Sequence, residues 1–203
     1  MKLYERLPDG VTVSGRRYRL DLDFRNVLRM QEMLARDDII PQAREYLALK
    51  CVMRHPPRNA KPVLDAVRDM LFPPARERGA ERITDFTQDA DLIRAAFRQN
   101  YGIDLFRDRL HWREFTCLLS GLPEGSRYAE ILGIRARPMP NPTKYNAEER
   151  RWLGEAKARY ALKLDEHQAQ YNYDRGVLDL FHALMGMVHK DKNEGENAGG
   201  SET

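Results

Sequence analysis

Cysteine is scarce in this sequence. Cys51 and Cys117 are the two in 203 residues, and both fall inside helical patterns with neither metal-ligand spacing nor a disulfide framework. Long apolar runs are missing too: nothing approaches the roughly 18 residues that a membrane-spanning helix needs. The first ten residues, "MKLYERLPDG", lack the apolar segment of a secretory signal, so a reducing cytoplasm is the expected setting. Lysine is sparse: of 34 basic residues, 8 are lysine and 26 arginine. Arginine suits bidentate contact with phosphate or carboxylate, which makes nucleic acid one reading. A coding preference in a GC-rich genome produces the same bias. The arginines are also interleaved with 31 acidic residues, not gathered into a stripe that tracks a phosphate backbone. No Walker loop, nucleophile elbow or zinc signature occurs, and no internal repeat.

What is present is a core under a highly charged surface, with 42% hydrophobic and 32% charged residues. The length suits one domain, or one domain with an appendage. The opening "LPDGVTVSGRRYRLDLDF" reads as a β-hairpin turning at Ser14-Gly15. Pairing Val13 with Arg16 sets Val11 opposite Tyr18 and Leu7 opposite Leu22. Leu20 then joins an apolar face, while Thr12, Arg17 and Arg19 share the other. A lone hairpin must bury that face against helices.

Helical patterns follow. Asp23 is placed to cap a segment carrying Phe24, Val27, Leu28 and Leu34. Pro41 suits the first turn of the next helix, where Ala43, Tyr46, Leu47, Leu49, Cys51, Val52 and Met53 leave little polar face and predict burial on most sides. Asn59 is expected to cap a helix with Val63, Val67, Met70 and Leu71. In "TDFTQDADLIRAAFRQNYG", Phe86, Ala90, Ile93, Phe97 and Tyr101 recur at three- and four-residue steps, and Gly102 sits where a helix closes. "LHWREFTCLLSGLP" (110–123) is a further helix stopped by Gly121 and Pro123. At about 100° per residue, Trp112, Phe115, Leu119 and Leu122 share one of its faces, with His111 and Leu118 at the edge. Ser126 caps a short turn through Leu132. "RPMPNPTKYN" is an extended connector, and Asn146 with Glu149 is a candidate capping pair for a charged helix striped by Leu153, Ala156, Tyr160 and Leu164.

Chemistry-bearing residues are thinly spread. Asp85 and Asp89 stand one turn apart with Asp91 beside them; they suit either a shared cation or a helix start, where carboxylates bond orphan amides. His111 reads as a hydrogen-bonded residue at a core boundary. Cys117 has no evident histidine or carboxylate to activate it. His55 lies in a proline turn and His167 in a polar connector; His182 and His189 are seven apart with no third ligand. The expectation is a protein without enzymatic activity, metal or cofactor. Trp112, Phe115, Leu119, Phe86 and Phe97 are assigned to the core.

The segment near the C-terminus carries Val177, Leu180, Phe181, Leu184, Met185 and Val188 on one face. A short helix of this kind does not persist alone in water, so it is expected to pack on the body, on a second copy or on another protein, and Val177, Leu180, Phe181, Leu184, Met185 and Val188 are the candidate partner-binding residues. Met185 and Met187 would suit an adaptable contact, as would Met30, Met33 and Met53. Its polar side carries few cations for a membrane surface. The final "DKNEGENAGGSET" has no apolar anchor and reads as a disordered tail. The fold class is therefore mainly α, with an N-terminal β-hairpin packed on a multi-helix domain, then a C-terminal amphipathic helix. Residues 1–164 form the hairpin and helical domain, with a proline-rich connector at 135–145; 165–190 form an extension and 191–203 the tail.

Four stretches carry a family likeness: "LPDGVTVSGRRYRLDLDFRNVL", "ITDFTQDADLIRAAFRQNYGIDL", "LHWREFTCLLSGLPEGSRYAEILGIR" and "NAEERRWLGEAKARYAL". Together, over roughly residues 7–162, the chain resembles the bacteriophage gene-product-fifteen family of tailed phages and prophages. The most specific parts are Asp85-Phe86, "YGIDL", and His111-Trp112 with the following "LLSGLP"; none is a catalytic signature. The segment after Leu164 lies outside the likeness. Such a family is typically encoded near the tail genes of long-tailed phages, often beside the tape-measure gene. The resemblance implies a tail-assembly chaperone in the host cytoplasm, absent from the mature virion. It would coat the tape-measure protein before tail-tube polymerisation and self-associate. The rival readings are a structural virion component of the tail or head-tail connector and, third, a nucleic-acid-binding protein. A helper for long amphipathic helices needs forgiving apolar contacts on a soluble body, and many weak copies along one client supply affinity.

Overall fold

The computed structural model describes residues 4–72 and 83–163. The hairpin pairs β1 (Gly10–Val13) with β2 (Arg16–Arg19), setting Val11 opposite Tyr18 and Val13 opposite Arg16. Its two turn residues, Ser14 and Gly15, have φ of 49° and 76°, the doubly positive geometry whose twist matches the flanking strands. Val11, Leu20 and Leu22 are buried, whereas Thr12, Arg17 and Arg19 face solvent. One further bond, from Leu20 N to Asp9 O at 2.8 Å, extends the pairing.

Past that bond the chain becomes a seam. Asp21 N donates to Val52 O at 2.7 Å, Trp112 N donates to Leu22 O at 2.7 Å, and Phe24 N donates to Leu110 O at 3.0 Å. Asp23 and His111 form an antiparallel bridge. The extended residues 20–23 thus join the hairpin, the end of the second helix and the start of the fifth.

Seven helices follow among the described residues: α1 (Phe24–Leu34), α2 (Pro41–Val52), α3 (Lys61–Leu71), α4 (Ala90–Tyr101), α5 (Trp112–Ser120), α6 (Arg127–Ala136) and α7 (Ala147–Tyr160). None is long and apolar enough to cross a membrane. The architecture is mainly α with an N-terminal hairpin, the expected class. Asp23 caps α1 by accepting from Arg25 N. Ser126 caps α6 through Ala129 N. Gly102 closes α4 at φ 70°, a conformation that a side chain would strain.

Other expectations change. α2 is not buried on most sides: Ala48, Leu49 and Val52 face inward, while Ile40 and Leu47 stay exposed. Its apolar residues are divided between two faces, and α1 and α3 cover one of them. α3 starts after Ala60 with no side-chain cap, so Asn59 does not have the expected role; Pro62 in the first turn has no amide to satisfy. α4 begins at Ala90 and leaves Phe86 in a preceding turn. α6 runs to Ala136, two residues into the expected connector. Asn146 does not cap α7. Its Oδ1 accepts from Thr143 N at 2.9 Å and its Nδ2 donates to Asn141 O at 2.8 Å, while Glu149 pairs with Arg137. The terminal-segment residues Val177, Leu180, Phe181, Leu184, Met185 and Val188, with Leu164, lie outside the described residues, as do the extension and tail expected at 165–203.

The core centres on Phe115. Its ring stacks on Phe24 at 4.6 Å and on Phe97 at 5.3 Å, and it lies 5.8 Å from Trp112 and 5.9 Å from Phe86. Trp112, Phe115, Leu119 and Phe97 are buried, and half-buried Phe86 meets Trp112 at an angle from the margin. Trp152, by contrast, is 54% exposed on α7. Truncating Phe115 to Ala is expected to cost about 3–5 kcal/mol, read as a shift in urea unfolding. Trp152→Phe should leave the unfolding midpoint near that of the wild type and leave a blue-shifted emission from Trp112. Trp112→Phe should leave the red emission of a solvated indole.

Candidate functional site

Two buried carboxylates organise the polar chemistry of the described residues. The first is Asp23. Its Oδ1 accepts from Arg25 N at 3.1 Å and Arg25 Nε at 2.9 Å; its Oδ2 accepts from Arg25 Nη2 at 3.1 Å and Arg109 Nε at 3.3 Å. Arg109 Nη2 reaches both Asp21 oxygens, at 2.8 and 3.0 Å. Arg25 continues to the carbonyls of Phe106 and Asp108. Burial works to raise the Asp23 carboxyl, but hydrogen bonds from the Arg25 side chain and amide, with the charges of Arg25 and Arg109, outweigh it and hold the group below the usual carboxylate range.

Beside Asp23 a cavity of about 260 Å³ opens between residues 7–9, 20–23 and 109–111. His111 closes part of its wall. The imidazole Nδ1 accepts from Arg113 N at 3.1 Å and caps α5, so Nε2 carries the proton and donates to Pro8 O at 3.0 Å. His111 is therefore a hydrogen-bonded boundary residue that also serves as a helix cap.

The second carboxylate is Asp89, which is buried and pairs with the mostly covered Arg135 through bonds of 2.8 and 2.9 Å. Asp89 also accepts from Asp85 N at 3.0 Å. Arg135 donates further to Ile83 O and Tyr160 O, and Lys157 Nζ donates to Arg135 O. One guanidinium thus joins the start of α4, residue 83 in the segment before it and the end of α7. Asp85 accepts from Thr87 N and Gln88 N, turning the chain before α4. Asp91 is exposed in the first turn of α4. The three aspartates have separate tasks, and among the described residues no group of three or more His, Cys, Asp or Glu is arranged to hold a metal ion. Nearby, Thr84 Oγ1 and the Tyr128 hydroxyl lie 2.7 Å apart, and burial pushes the Tyr128 phenol well above its ordinary value.

Cys117 is exposed and Cys51 half-buried, both free; burial pushes the Cys51 thiol up, which favours the inert form. The large exposed apolar side chains of the described residues lie elsewhere: Tyr4 ahead of the hairpin, Ile40 just before α2 and Leu47 on it, Phe106 before α5, and Met139, Tyr145 and Trp152 along the connector and α7. Sequence reasoning missed Phe106 and the Arg135 pair. The signal for the first was an aromatic between two aspartates in a non-helical stretch. The second joins residues 46 apart, beyond any local pattern.

These features define a helical protein whose buried carboxylates are engaged internally and whose charged surface also carries exposed apolar side chains. The chain matches the family described as Bacteriophage Gp15 protein over residues 3–162, and it belongs to that family. No curated protein and no solved structure matches it.

Two outcomes test the polar framework. Removing Arg135 by R135A leaves Asp89 charged and buried, so stability should fall by about 3–5 kcal/mol, with α7 becoming the first region to exchange its amides. Asp23 makes a separate contribution. Because its folded pKa is depressed, that contribution is complete above the unfolded value of about 3.9 and is lost as pH falls through the lower folded value. D23N should reduce stability at pH 7 by about 1.5–3 kcal/mol and flatten the acid limb of a stability–pH curve below pH about 4.

Proposed function

We propose that this phage protein is a tail-assembly chaperone that binds the tape-measure protein reversibly in the host cytoplasm. It would keep the client soluble until the tail tube polymerises, and leave before the virion matures. The reading rests on binding without chemistry. The observation that carries it is α7, which fully buries one side chain, Leu153, yet holds Trp152 half in water, with Tyr145 at 91% exposure just before the helix and Met139 in the connector leading to it.

Aromatic and methionine side chains of this kind give large contact area and tolerate varied partners. A tape-measure protein offers long amphipathic helices, whose apolar stripes would find such a surface forgiving. Several arginines are engaged with carboxylates, including Arg17 with Asp9, Arg36 with Asp38 and Arg137 with Glu149, which supports a protein client over a nucleic acid.

Co-expression with the neighbouring tape-measure protein tests this directly. The wild-type chain should keep the client soluble and co-purify with it. Tyr145→Asp with Trp152→Asp should lower recovered soluble client roughly tenfold or more while far-ultraviolet dichroism stays unchanged. Phe181→Asp with Leu184→Asp examines the terminal segment in the same assay. Failure of the wild type to retain the client, together with stoichiometric recovery of the chain from purified virions, would favour a structural tail component instead.

A further inference from the structure

Beyond α7 the chain is tied back to the head of α4. Lys163 N donates to Gln88 Oε1 at 2.8 Å, and Gln88 Nε2 donates to Lys163 O at 2.8 Å. Gln88 is itself held by Asp85, whose Oδ1 accepts from its amide at 2.8 Å. The sequence after Lys163 therefore continues from a point beside the start of α4.

From there the exposed face of α4 runs through Asp91, Arg94, Ala95 and Arg98. The Arg94 guanidinium lies 4.0 Å from the ring centroid of Phe106, which is 69% exposed, and Arg98 Nη1 donates to Gly102 O at 3.1 Å. Neither arginine has a carboxylate partner among the described residues. Arg107, 87% exposed, has a 3.9 Å contact to Asp104. The loop carrying Phe106 is fixed in advance. Asp104 N donates to Asp108 Oδ2 at 2.7 Å and Phe106 N donates to Asp104 Oδ1 at 3.0 Å, so the two aspartates close it on itself. Arg25 clamps it through the carbonyls of Phe106 and Asp108. The result is a preset aromatic ring on a cationic face, and such a ring loses little freedom when it is covered.

The sequence that continues from Lys163 fits this face in charge, polarity and reach. Between Leu164 and Val188 it carries Asp165, Glu166, Asp174 and Asp179 against one arginine, Arg175, and no lysine. From Val177 to Val188 it holds the apolar stripe that needs cover. Arg94 lies roughly 9 Å along the helix axis from Gln88, whereas residues 164–176 reach up to about 40 Å when extended. Trp152 offers a poorer seat: exposed Glu148, Glu149 and Glu155 stand one turn from it, and like charges oppose an acidic segment. We infer that residues 164–188 dock in cis along α4. Their carboxylates face Arg94, Arg98 and Arg107, and their apolar stripe covers Phe106 and the aliphatic stems of those arginines. The short tether from Lys163 makes the contact intramolecular and so favours it over the same contact between chains. The docking does not rest on the tape-measure reading.

Photocross-linking of the full-length chain tests the contact. With p-benzoylphenylalanine in place of Phe106, irradiation should join residue 106 to the tryptic peptide 176–190. In an equal mixture of unlabelled and nitrogen-15-labelled chains, both halves of each cross-link should carry the same label. Arg94→Glu with Arg98→Glu should lower the yield roughly tenfold. Near-ultraviolet dichroism from the buried ring cluster should stay unchanged, because both arginines are exposed. Added salt should lower the yield as well. Cross-links that mix the two labels would put a second copy on this face and overturn the docking in cis. Cross-links confined to α7, no cross-link at all, or a yield indifferent to the two charge reversals would overturn it equally.

Discussion

The stacking of Phe115 on Phe24 is the contact from which the rest of the structure follows. The rings lie 4.6 Å apart with planes inclined by 10°, and each sits in the first turn or two of its helix. That pairing fixes the start of α1 against α5. The same start points are also joined through the backbone, by Phe24 N to Leu110 O and Trp112 N to Leu22 O. Apolar stacking and backbone bonding therefore agree on one arrangement, and residues 20–24 have little freedom left. Phe97 brings α4 to the opposite face of Phe115, and Phe72 brings the end of α3 edge-on to Trp112. Segments distant in sequence meet on one aromatic cluster, and interdigitated packing of this kind is what makes a core respond to single-atom changes.

The polar pairs act at the boundary that this cluster leaves uncovered. α7 contributes only Leu153 as a fully buried side chain, too little apolar area to hold a helix by itself. Arg135 makes up the difference by joining Asp89, Ile83 O and Tyr160 O. Direction matters here more than strength. A guanidinium with several fixed donors accepts one placement of its neighbours, whereas Leu153 alone would tolerate sliding. Asp23 does comparable work at the other end: the carboxylate that caps α1 also fixes Arg25, and through it the loop carrying Phe106.

Period and turn chemistry made much of this fold readable in advance. Ser14-Gly15 set the hairpin register, and the spacing of Trp112, Phe115 and Leu119 identified the buried face of α5, because both are local signals that tertiary packing reinforces. α2 misled because Leu47 and Leu49 point to opposite sides, and periodicity cannot say whether a second face finds a cover. Asn146 misled because an asparagine bonds a preceding turn as readily as a following helix. Arg135 stood next to a proline-rich stretch and looked like part of it; its partner Asp89 looked like an ordinary first-turn acid. A long-range ion pair leaves no periodic trace. The candidate surface was the least legible part. Exposure of Phe106, Tyr145 and Trp152 depends on what the core leaves outside, and an aromatic in the sequence reads first as core.

The exposed apolar residues are distributed in a way that bears on any binding role. Among the described residues Tyr4, then Ile40 and Leu47, then Phe106, then Met139, Tyr145 and Trp152 come from separate stretches of the chain. A continuous patch large enough to hold a client helix alone would also drive the free protein to aggregate. Separate anchors avoid that: each is too small to associate indiscriminately, and only a partner able to reach several at once gains from all of them. Rigidity decides which anchors are useful for this. Phe106 stands on a loop closed by two aspartates and clamped by Arg25, so its position is set before any partner arrives. Trp152 stands on a helix whose placement depends on Arg135. The ion pairs that complete the fold therefore also set the spacing of the anchors, and a partner reads that spacing more than it reads any one side chain.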